Sequence, residues 1–341
     1  MYKGVLINVA LNKIDAFNST SPDNRDNCLF FLKLIKERFK QHNIAFDQPY
    51  NLEVGEIADF EIDFEVPRKH SKKTINKYLV RFECELIWPQ SYEAKSLAQY
   101  KKVFSWNNKS CLTSQFVPVK IPNTMLQASN IGLNYRPKLC CMIAGNKALR
   151  HKSNIDLYLR RVDTIRWFET NAPDDFDLYG QGWNIPAARH GLVGKILNKL
   201  QKYKPNLTGK VFFPSYNGKV VSKLETLQKY RFSICYENVR ELPGYITEKI
   251  FDSFFAGCVP VYWGAPDINR YIPEDCFIDR RKFANHEELY GFLISITETE
   301  FINYQDRIAT FLNSDDAKLF SAEVFSDTIV STIVSDLGIK N

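Results

Sequence analysis

The residues best placed to do chemistry lie at one strand-to-helix crossing and comprise Asn238, Tyr245, Glu248 and Lys249. Amide N–H groups at the start of a helix favour anions. A Lys and a Glu in the first helical turn, beside an Asn and a Tyr, therefore suit a nucleotide diphosphate and its sugar. The alternative is that Glu248 and Lys249 only solvate a helix face, since helix beginnings often carry charge.

The elements that must position these residues follow from hydrophobic spacing. Apolar residues alternate along 232–236, which predicts a strand, and recur at helical spacing along 250–255. Gly257 stands where a helix C-cap is expected, and a second strand resumes at 259–262. Ligands of open α/β sheets bind where strands end and helices begin, so this crossing is the predicted site.

The string CYEN…GYITEKIFDSFFAGCVPVYWG, residues 235–264, resembles the signature of glycosyltransferase family 10, the α-1,3-fucosyltransferases. Weaker similarity precedes it at 176–183 and 216–219 and follows it at 277–279. The resemblance implies an α/β protein of GT-B architecture, with two Rossmann-like doubly wound domains facing across a cleft. It also implies inverting transfer of fucose from GDP-fucose to a glycan hydroxyl, α-1,3-linked to N-acetylglucosamine or glucose.

The length of 341 residues allows two domains. We predict an acceptor-binding domain over 1–135, a GDP-sugar donor-binding domain over 136–320 and a C-terminal helix over 321–341 that packs back on the first domain. The polar, Pro-bearing stretch 121–136 is the expected connection. Further strands are predicted at 5–9, 60–66, 78–84, 103–106 and 139–145, and helices at 29–39, 157–168, 288–296, 304–312 and 322–337.

The resemblance assigns roles to several residues of the second half. Lys249 matches the family's diphosphate-contacting Lys, and Arg161 matches an Arg at the start of a helix, with the adjacent Arg160 as the alternative. Lys223 is expected to be a surface residue, with a charge near the phosphates as the alternative. The resemblance also implies that the donor sugar and nucleotide contact Asn238, Tyr245 and Glu248. The alternative for either arginine is an exposed basic helix face.

The same resemblance selects the catalytic base. Residues 77–95 are similar to a first-domain motif in which a strand delivers a Glu before a proline-bearing loop, and keeping Pro89 in register selects Glu83. Glu85 stands where a proline is usual, and it is the alternative base. Residues two apart share one strand face, so both carboxylates are predicted on the same side of a strand. The alternative for either Glu is a solvent-facing strand charge.

Composition limits the kinds of partner that the protein is expected to bind. A net charge of +6 is mild, and no basic–aromatic stripe occurs, so nucleic-acid binding is not expected. Without a C-x-x-C pair, the eight cysteines predict buried free thiols. No apolar run is long enough to span a membrane. Since the resemblance implies a membrane anchor in animal members of the family, we expect a soluble, cytoplasmic protein of bacterial type. The resemblance implies that positive side chains replace a metal, so Asp175-Phe176-Asp177 is not expected to be a metal motif. No cofactor is expected, and a divalent ion would at most stimulate turnover.

Residues 191–204 form a basic amphipathic pattern. Such a pattern is typical of a helix that docks on its own protein with a solvated Lys face, which we expect here. A peripheral contact with an anionic membrane is the alternative.

Two other functions remain open from the sequence. The fold could use another GDP-6-deoxyhexose donor, or the chain could be a non-catalytic module that binds a nucleotide sugar or a glycan.

Overall fold

The computed structural model describes residues 2–8, 15–18, 21, 24–51, 57–67, 76–107, 114–130, 132–203 and 211–339. The chain divides into two compact units. Unit 1 comprises Met1–Met125 and Lys318–Asn341, and unit 2 comprises Leu126–Ala317. The division falls inside the polar stretch that the sequence marked as a connection.

Unit 1 is built on a parallel sheet with the strand order β2-β1-β3-β4-β5-β6. Its strands are β1 (Lys3–Asn8), β2 (Ala45–Asp47), β3 (Phe60–Phe64), β4 (Asn76–Arg81), β5 (Lys102–Ser105) and β6 (Phe116–Pro118). The predicted strand 78–84 extends too far, because the chain leaves the sheet after Arg81. Glu83 and Glu85 therefore follow the strand, and the prediction that they share a strand face is wrong.

The helices of unit 1 lie on both faces of its sheet. They are α1 (Phe30–Gln41), the short α2 (Ala94–Leu97) and the C-terminal α10 (Ala322–Asp336), while the short α9 (Asp315–Lys318) spans the point at which the chain returns to unit 1. Helix α2 lies against Leu79 on one face. Helices α1 and α10 pack against each other and lie against Tyr78 and Val80 on the other face. Their apolar residues join those of β3 and β4 in one core, which includes Leu32, Ile35, Phe39, Phe60, Ile62, Tyr78, Phe325, Ile329 and Ile333.

Unit 2 is built on a second parallel sheet, with the strand order β11-β10-β9-β7-β8. Its strands are β7 (Lys138–Ile143), β8 (Phe176–Tyr179), β9 (Tyr230–Tyr236), β10 (Val259–Trp263) and β11 (Ile278–Asp279). From β7 the chain runs first to β8 on one side and then to β9 on the other. The order of the sheet therefore reverses between β7 and β9.

The helices of unit 2 connect and cover these strands. They are α3 (Leu157–Asn171), α4 (Gly191–Tyr203), α5 (Lys223–Leu227), α6 (Glu248–Phe255), α7 (His286–Ser295) and α8 (Glu298–Leu312). Apolar residues of α3, α7 and α8 share a core with β7, β9 and β10, including Ile165, Phe168, Leu293, Phe301, Met142, Phe232 and Val261. None of the helices formed by the described residues is long and apolar enough to cross a bilayer.

Gly257 ends α6 as the sequence predicts. Its φ of +64° is the left-handed conformation that glycine adopts without steric cost. A Cβ at this position would lie 1.9 Å from the carbonyl oxygen of Ser129 and 2.8 Å from Nη2 of Arg136. The glycine is therefore required both by the backbone turn and by the close approach of a neighbouring segment.

No disulfide joins two of the cysteines that the structure describes. Cys28 is exposed, and the prediction of buried thiols holds for Cys84, Cys140, Cys141, Cys235, Cys258 and Cys276. Cys111 lies outside the described residues.

Helix α4 contradicts the expectation of a docked apolar face. Leu192 and Val193 are 73% and 71% exposed, and Ile196 and Leu200 are 60% and 54% exposed. The helix meets the rest of unit 2 through Gly194, whose backbone is buried.

Candidate active site

A pocket lies at the carboxyl ends of β7 and β9, where the strand order of unit 2 reverses. At such a point the connections leave neighbouring strands in opposite directions and open a crevice, which is where open α/β sheets bind ligands. The charged groups that line the pocket are Arg161, Lys223, Glu248, Lys249 and Asp252. Three cations and two carboxylates thus converge on one crevice.

Polar groups of neighbouring residues hold Lys249 in the pocket. Its Nζ donates a hydrogen bond of 2.8 Å to Oγ1 of Thr247 and lies 3.4 Å from Oε2 of Glu237. It also lies 3.7 Å from Oε1 of Glu248. Burial pushes the pKa of Lys249 down, but the carboxylates of Glu248 and Glu237 outweigh burial and raise that pKa above its ordinary value. Lys249 is therefore a fixed positive charge.

Glu237 is a residue that sequence reasoning missed as part of the site. It is completely buried, and it accepts hydrogen bonds of 2.8 Å from the backbone N–H and 2.7 Å from the hydroxyl of Thr247. The signal in the sequence was a Glu directly after a strand predicted to be buried. A Glu at such a position is expected to have a partner, since this residue is almost never fully buried unless it is paired. Glu237 ties the start of α6 to the end of β9.

Arg161 and Asn238 are joined by a hydrogen bond. Nη2 of Arg161 donates hydrogen bonds of 2.7 Å to the carbonyl oxygen of Tyr236 and 3.1 Å to Oδ1 of Asn238. Nδ2 of Asn238 in turn donates 3.1 Å to the hydroxyl of Tyr245, which is buried. Burial lowers the pKa of Arg161, but a guanidinium stays protonated in proteins. The adjacent Arg160 has an exposed side chain and pairs with Asp163 at 3.0 Å.

The local backbone explains why Arg161 reaches the pocket. Asp156 caps α3, since its Oδ1 accepts a hydrogen bond from the backbone N–H of Tyr158 at 2.7 Å. The same residue forms an antiparallel bridge with Val239, and the N–H of Leu157 donates to the carbonyl oxygen of Asn238 at 3.2 Å. Because the start of α3 is pinned to the segment after β9, its first turns lie against the pocket.

Lys223 and Asp252 complete the ring of charges. Nζ of Lys223 lies 2.6 Å from Oδ2 of Asp252 and 3.7 Å from Oε1 of Glu248. The expectation that Lys223 is a surface residue is wrong, since only 18% of its side chain is exposed. Partial burial raises the pKa of Glu248, but the ammonium groups of Lys249 and Lys223 lower it further, and the net shift is downward. Glu248 therefore stays ionised as a hydrogen-bond acceptor at the mouth of the pocket.

Glu83 lies in unit 1, in the turn that follows β4. The turn is closed by hydrogen bonds from the N–H groups of Ile87 and Trp88 to the carbonyl oxygen of Cys84 at 3.0 and 2.9 Å. The carbonyl oxygen of Glu83 itself accepts a hydrogen bond of 2.9 Å from the hydroxyl of Tyr92. Glu83 is half-buried and Glu85 is exposed, so the two carboxylates differ in their surroundings.

Glu65 fixes the backbone of this turn, and sequence reasoning missed it. One of its carboxylate oxygens accepts 2.7 Å hydrogen bonds from the N–H groups of both Phe82 and Glu83, and the other accepts 2.7 Å from Ser91 Oγ. Burial raises the pKa of Glu65 to about 7, although these hydrogen bonds oppose the shift. Its φ of +62° is rare for a residue with a side chain, and such a conformation persists only when its surroundings enforce it. No local pattern marks this role, because it depends on three segments that meet in space.

The carboxylates of the Asp-x-Asp segment are engaged by protein groups. Asp177 accepts hydrogen bonds from Lys138, Tyr230 and Asn217 at 2.5–2.6 Å. Asp175 accepts one of 2.7 Å from the hydroxyl of Tyr290. Asp177 therefore joins β8 to β7 and β9, and Asp175 joins the turn before β8 to α7.

Solved structures share the fold of this chain. An α1,3-fucosyltransferase solved with GDP is 13% identical, with a TM-score of 0.51, and the match covers 98% of this chain and 90% of that one. The Anabaena HepE protein, solved with UDP and glucose, is 11% identical, with a TM-score of 0.52, and the match covers 98% of this chain and all of that one. Together with the two parallel-sheet units, these likenesses show the fold of GT-B glycosyltransferases.

Part of the second unit is similar to a family model. Residues 180–309 match the family model described as glycosyltransferase family 10 (fucosyltransferase) C-term. The matched segment lies within unit 2 and contains Asn238, Tyr245, Glu248 and Lys249.

Individual relatives match over shorter segments. The α-(1,3)-fucosyltransferase FucT of Helicobacter pylori is 36% identical over 74 residues, which are 22% of this chain and 15% of that protein. Mouse α-(1,3)-fucosyltransferase 7 is 36% identical over 98 residues, which are 27% of this chain and 25% of that protein. The matched part of the chain thus spans a quarter or less of the length of these two relatives.

Proposed function

We propose that the chain transfers fucose from GDP-fucose to a glycan hydroxyl with inversion, and that the new bond is α-1,3 to N-acetylglucosamine or glucose. The convergence of Arg161, Glu248 and Lys249 on the pocket at the β7–β9 reversal carries the proposal. The last two of these residues lie within the region that matches the fucosyltransferase family model. Cations at the switch point of a parallel sheet are what a nucleoside diphosphate requires.

In this proposal, unit 2 activates the leaving group. As the bond between the fucose anomeric carbon and the phosphate oxygen breaks, its electron pair leaves with GDP. Lys249 and Arg161 then stabilise the charge that develops on the diphosphate. Since both cations are already held by hydrogen bonds, they need little reorganisation at that moment. Glu248 accepts hydrogen bonds from the sugar hydroxyls.

Unit 1 supplies the base. The acceptor hydroxyl oxygen attacks the anomeric carbon from the face opposite to GDP, and its proton passes to the carboxylate of Glu83. One C–O bond forms while another breaks, so the anomeric configuration is inverted. Glu65 holds the turn in which Glu83 lies.

The proposal includes no resident metal, because lysine and arginine supply the positive charge. A divalent ion would act only on the free diphosphate. Turnover in the presence of a chelator, compared with turnover in added Mg²⁺ or Mn²⁺, tests this part. Complete loss of activity with the chelator would contradict it.

The decisive experiment combines a glycan array with a donor competition. We expect fucosylated product from GDP-fucose on glycans that end in N-acetylglucosamine or glucose, and GDP release that depends on the acceptor. Lys249→Ala should remove both signals. If a different GDP-6-deoxyhexose competes as the better substrate, that sugar nucleotide and not GDP-fucose is the donor. Tight GDP binding without acceptor-dependent release would identify a binding module instead.

A further inference from the structure

We infer that the exposed apolar face of α4 docks on a membrane surface that contains anionic lipid. Leu192, Val193, Ile196, Leu197 and Leu200 recur at helical spacing and form one stripe along the helix. All five side chains are exposed, from 36% at Leu197 to 73% at Leu192. A helix on the surface of a globular protein normally buries such a stripe, whereas α4 presents its apolar face to solvent.

The attachment of α4 explains this orientation. Gly194 lies opposite the stripe and is buried against Arg189, whose backbone would be 2.8 Å from an added Cβ. The side chain of Asn198 accepts a hydrogen bond of 3.1 Å from the backbone N–H of Arg189 and donates one of 3.0 Å to its carbonyl oxygen. The polar side of the helix is therefore fixed to the protein, and this leaves the apolar side to face outward.

The start of α4 is also tied to the donor unit. The N–H of Gly191 donates 3.1 Å to the carbonyl oxygen of Arg150, and His190 hydrogen bonds through Nδ1 to the carbonyl oxygen of Leu149 at 3.0 Å. His190 Nε2 lies 3.3 Å from Oδ2 of Asp156, the residue that caps α3. Helix α4 is thus connected to the segment that carries Arg161.

Charge favours a lipid surface over a second copy of the chain. Residues 178–224 contain eight Lys or Arg and no Asp or Glu, whereas the whole chain has a net charge of only +6. Lys195, Lys199 and Lys202 recur at helical spacing in the sequence of α4. Two copies that met through this face would bring like charges together. Basic residues beside an apolar stripe instead suit anionic headgroups above an acyl layer.

The proposal is tested by co-sedimentation of the full chain with vesicles, and this measurement does not depend on the proposed activity. The chain should bind vesicles of phosphatidylcholine mixed with phosphatidylglycerol more strongly than vesicles of phosphatidylcholine alone, and added salt should weaken this binding. The variant L192Q/I196Q/L200Q should lose about a hundredfold in partitioning because three apolar side chains no longer insert. Lys199→Glu should lose roughly tenfold on the anionic vesicles only.

Matched controls distinguish binding through the apolar face of α4 from effects of any exposed apolar or basic residue. Ile294→Gln changes an exposed apolar residue of α7, and Lys40→Glu changes an exposed lysine of α1, so both should bind as the parent does. The triple variant should keep the parent melting temperature and its turnover on a soluble acceptor. If it binds anionic vesicles as well as the parent, or if the parent binds both vesicle types equally, the proposal is overturned. A parent dimer that the triple variant converts to monomer without lipid would assign the face to a second copy.

Discussion

Glu237, which is completely buried, lies 3.4 Å from the ammonium group of Lys249. The carboxylate does not reach the pocket lining itself, but it holds both the Lys and the backbone of Thr247 beneath it. The position and the charge of Lys249 therefore depend on a residue that has no contact of its own with the crevice. Glu237 is a positioning residue in the proposed mechanism.

We expect Glu237→Gln to lower turnover roughly 10- to 100-fold and to shift the alkaline limb of the pH–rate profile downward. The shift follows because the Glu237 carboxylate helps to raise the pKa of Lys249, and a neutral amide does not. A pH profile of kcat measures it. Glu274→Gln is the matched control, since that carboxylate is 66% exposed and pairs only with Lys282. An unchanged profile in Glu237→Gln would separate Glu237 from the mechanism.

Lys249→Ala should reduce turnover about 1,000-fold, because the developing charge on GDP loses its fixed counter-charge. Lys249→Arg should retain part of the activity, since an Arg also binds phosphate. Steady-state kinetics with saturating GDP-fucose checks both. The control is Lys282→Ala, whose side chain is 63% exposed. Equal activity of Lys249→Ala and the parent would remove Lys249 from the reaction.

Arg160 and Arg161 form a natural pair of test and control. Arg161→Ala leaves the carbonyl oxygen of Tyr236 and the amide oxygen of Asn238 without this donor, which should cost roughly 1–3 kcal/mol of stability and weaken GDP binding. Arg160→Ala removes only an exposed pair with Asp163 and should cost less than about 1 kcal/mol. Thermal unfolding and calorimetric titration with GDP compare the two. A larger effect on GDP affinity from Arg160 would reverse the assignment.

Glu83→Gln should abolish transfer but leave the affinity for GDP intact, because the base acts on the acceptor and not on the diphosphate. Glu85→Gln should be close to the parent, since Glu85 is exposed. Product formation and GDP titration are measured on the same preparations. Full activity in Glu83→Gln, or loss in Glu85→Gln alone, would move the role to another residue.

Asp63 predicts a pH dependence of stability in unit 1. It is fully buried, accepts a hydrogen bond from the hydroxyl of Tyr100, and has its pKa raised to about 7 by burial and by Glu61. The unfolded chain releases this proton near its ordinary pKa, whereas the folded chain keeps it until about pH 7. The contribution of Asp63 to stability is therefore complete in acid and is lost as pH rises toward 7.

Asp63→Asn should remove this contribution, because an amide does not titrate. The parent should lose more stability than the variant between about pH 4 and about pH 8, as followed by the midpoint of thermal unfolding. The comparison uses the difference between the two proteins, since other groups titrate equally in both. An identical pH dependence would show that Asp63 is ionised in the folded state throughout.

The elements around the pocket could be predicted from the sequence because their signals are local. Alternation gives β9, helical spacing gives α6, and Gly257 satisfies a left-handed C-cap that few other residues tolerate. These local signals place Glu248 and Lys249 in the first turn of a helix after a buried strand. That arrangement, together with the resemblance to family 10, predicts a site at this strand-to-helix crossing.

The partners of these residues were decided only by tertiary structure. Two adjacent arginines on α3 look alike in sequence, and only the strand that faces the helix buries Arg161 and leaves Arg160 exposed. Glu65 and Glu83 are far apart in the chain, so no spacing could show that one holds the other. Helical periodicity gave α4 an apolar face but not its direction, since that depends on where Gly194 meets the protein. Local patterns fix what each segment becomes, whereas contacts between distant segments fix what each side chain faces.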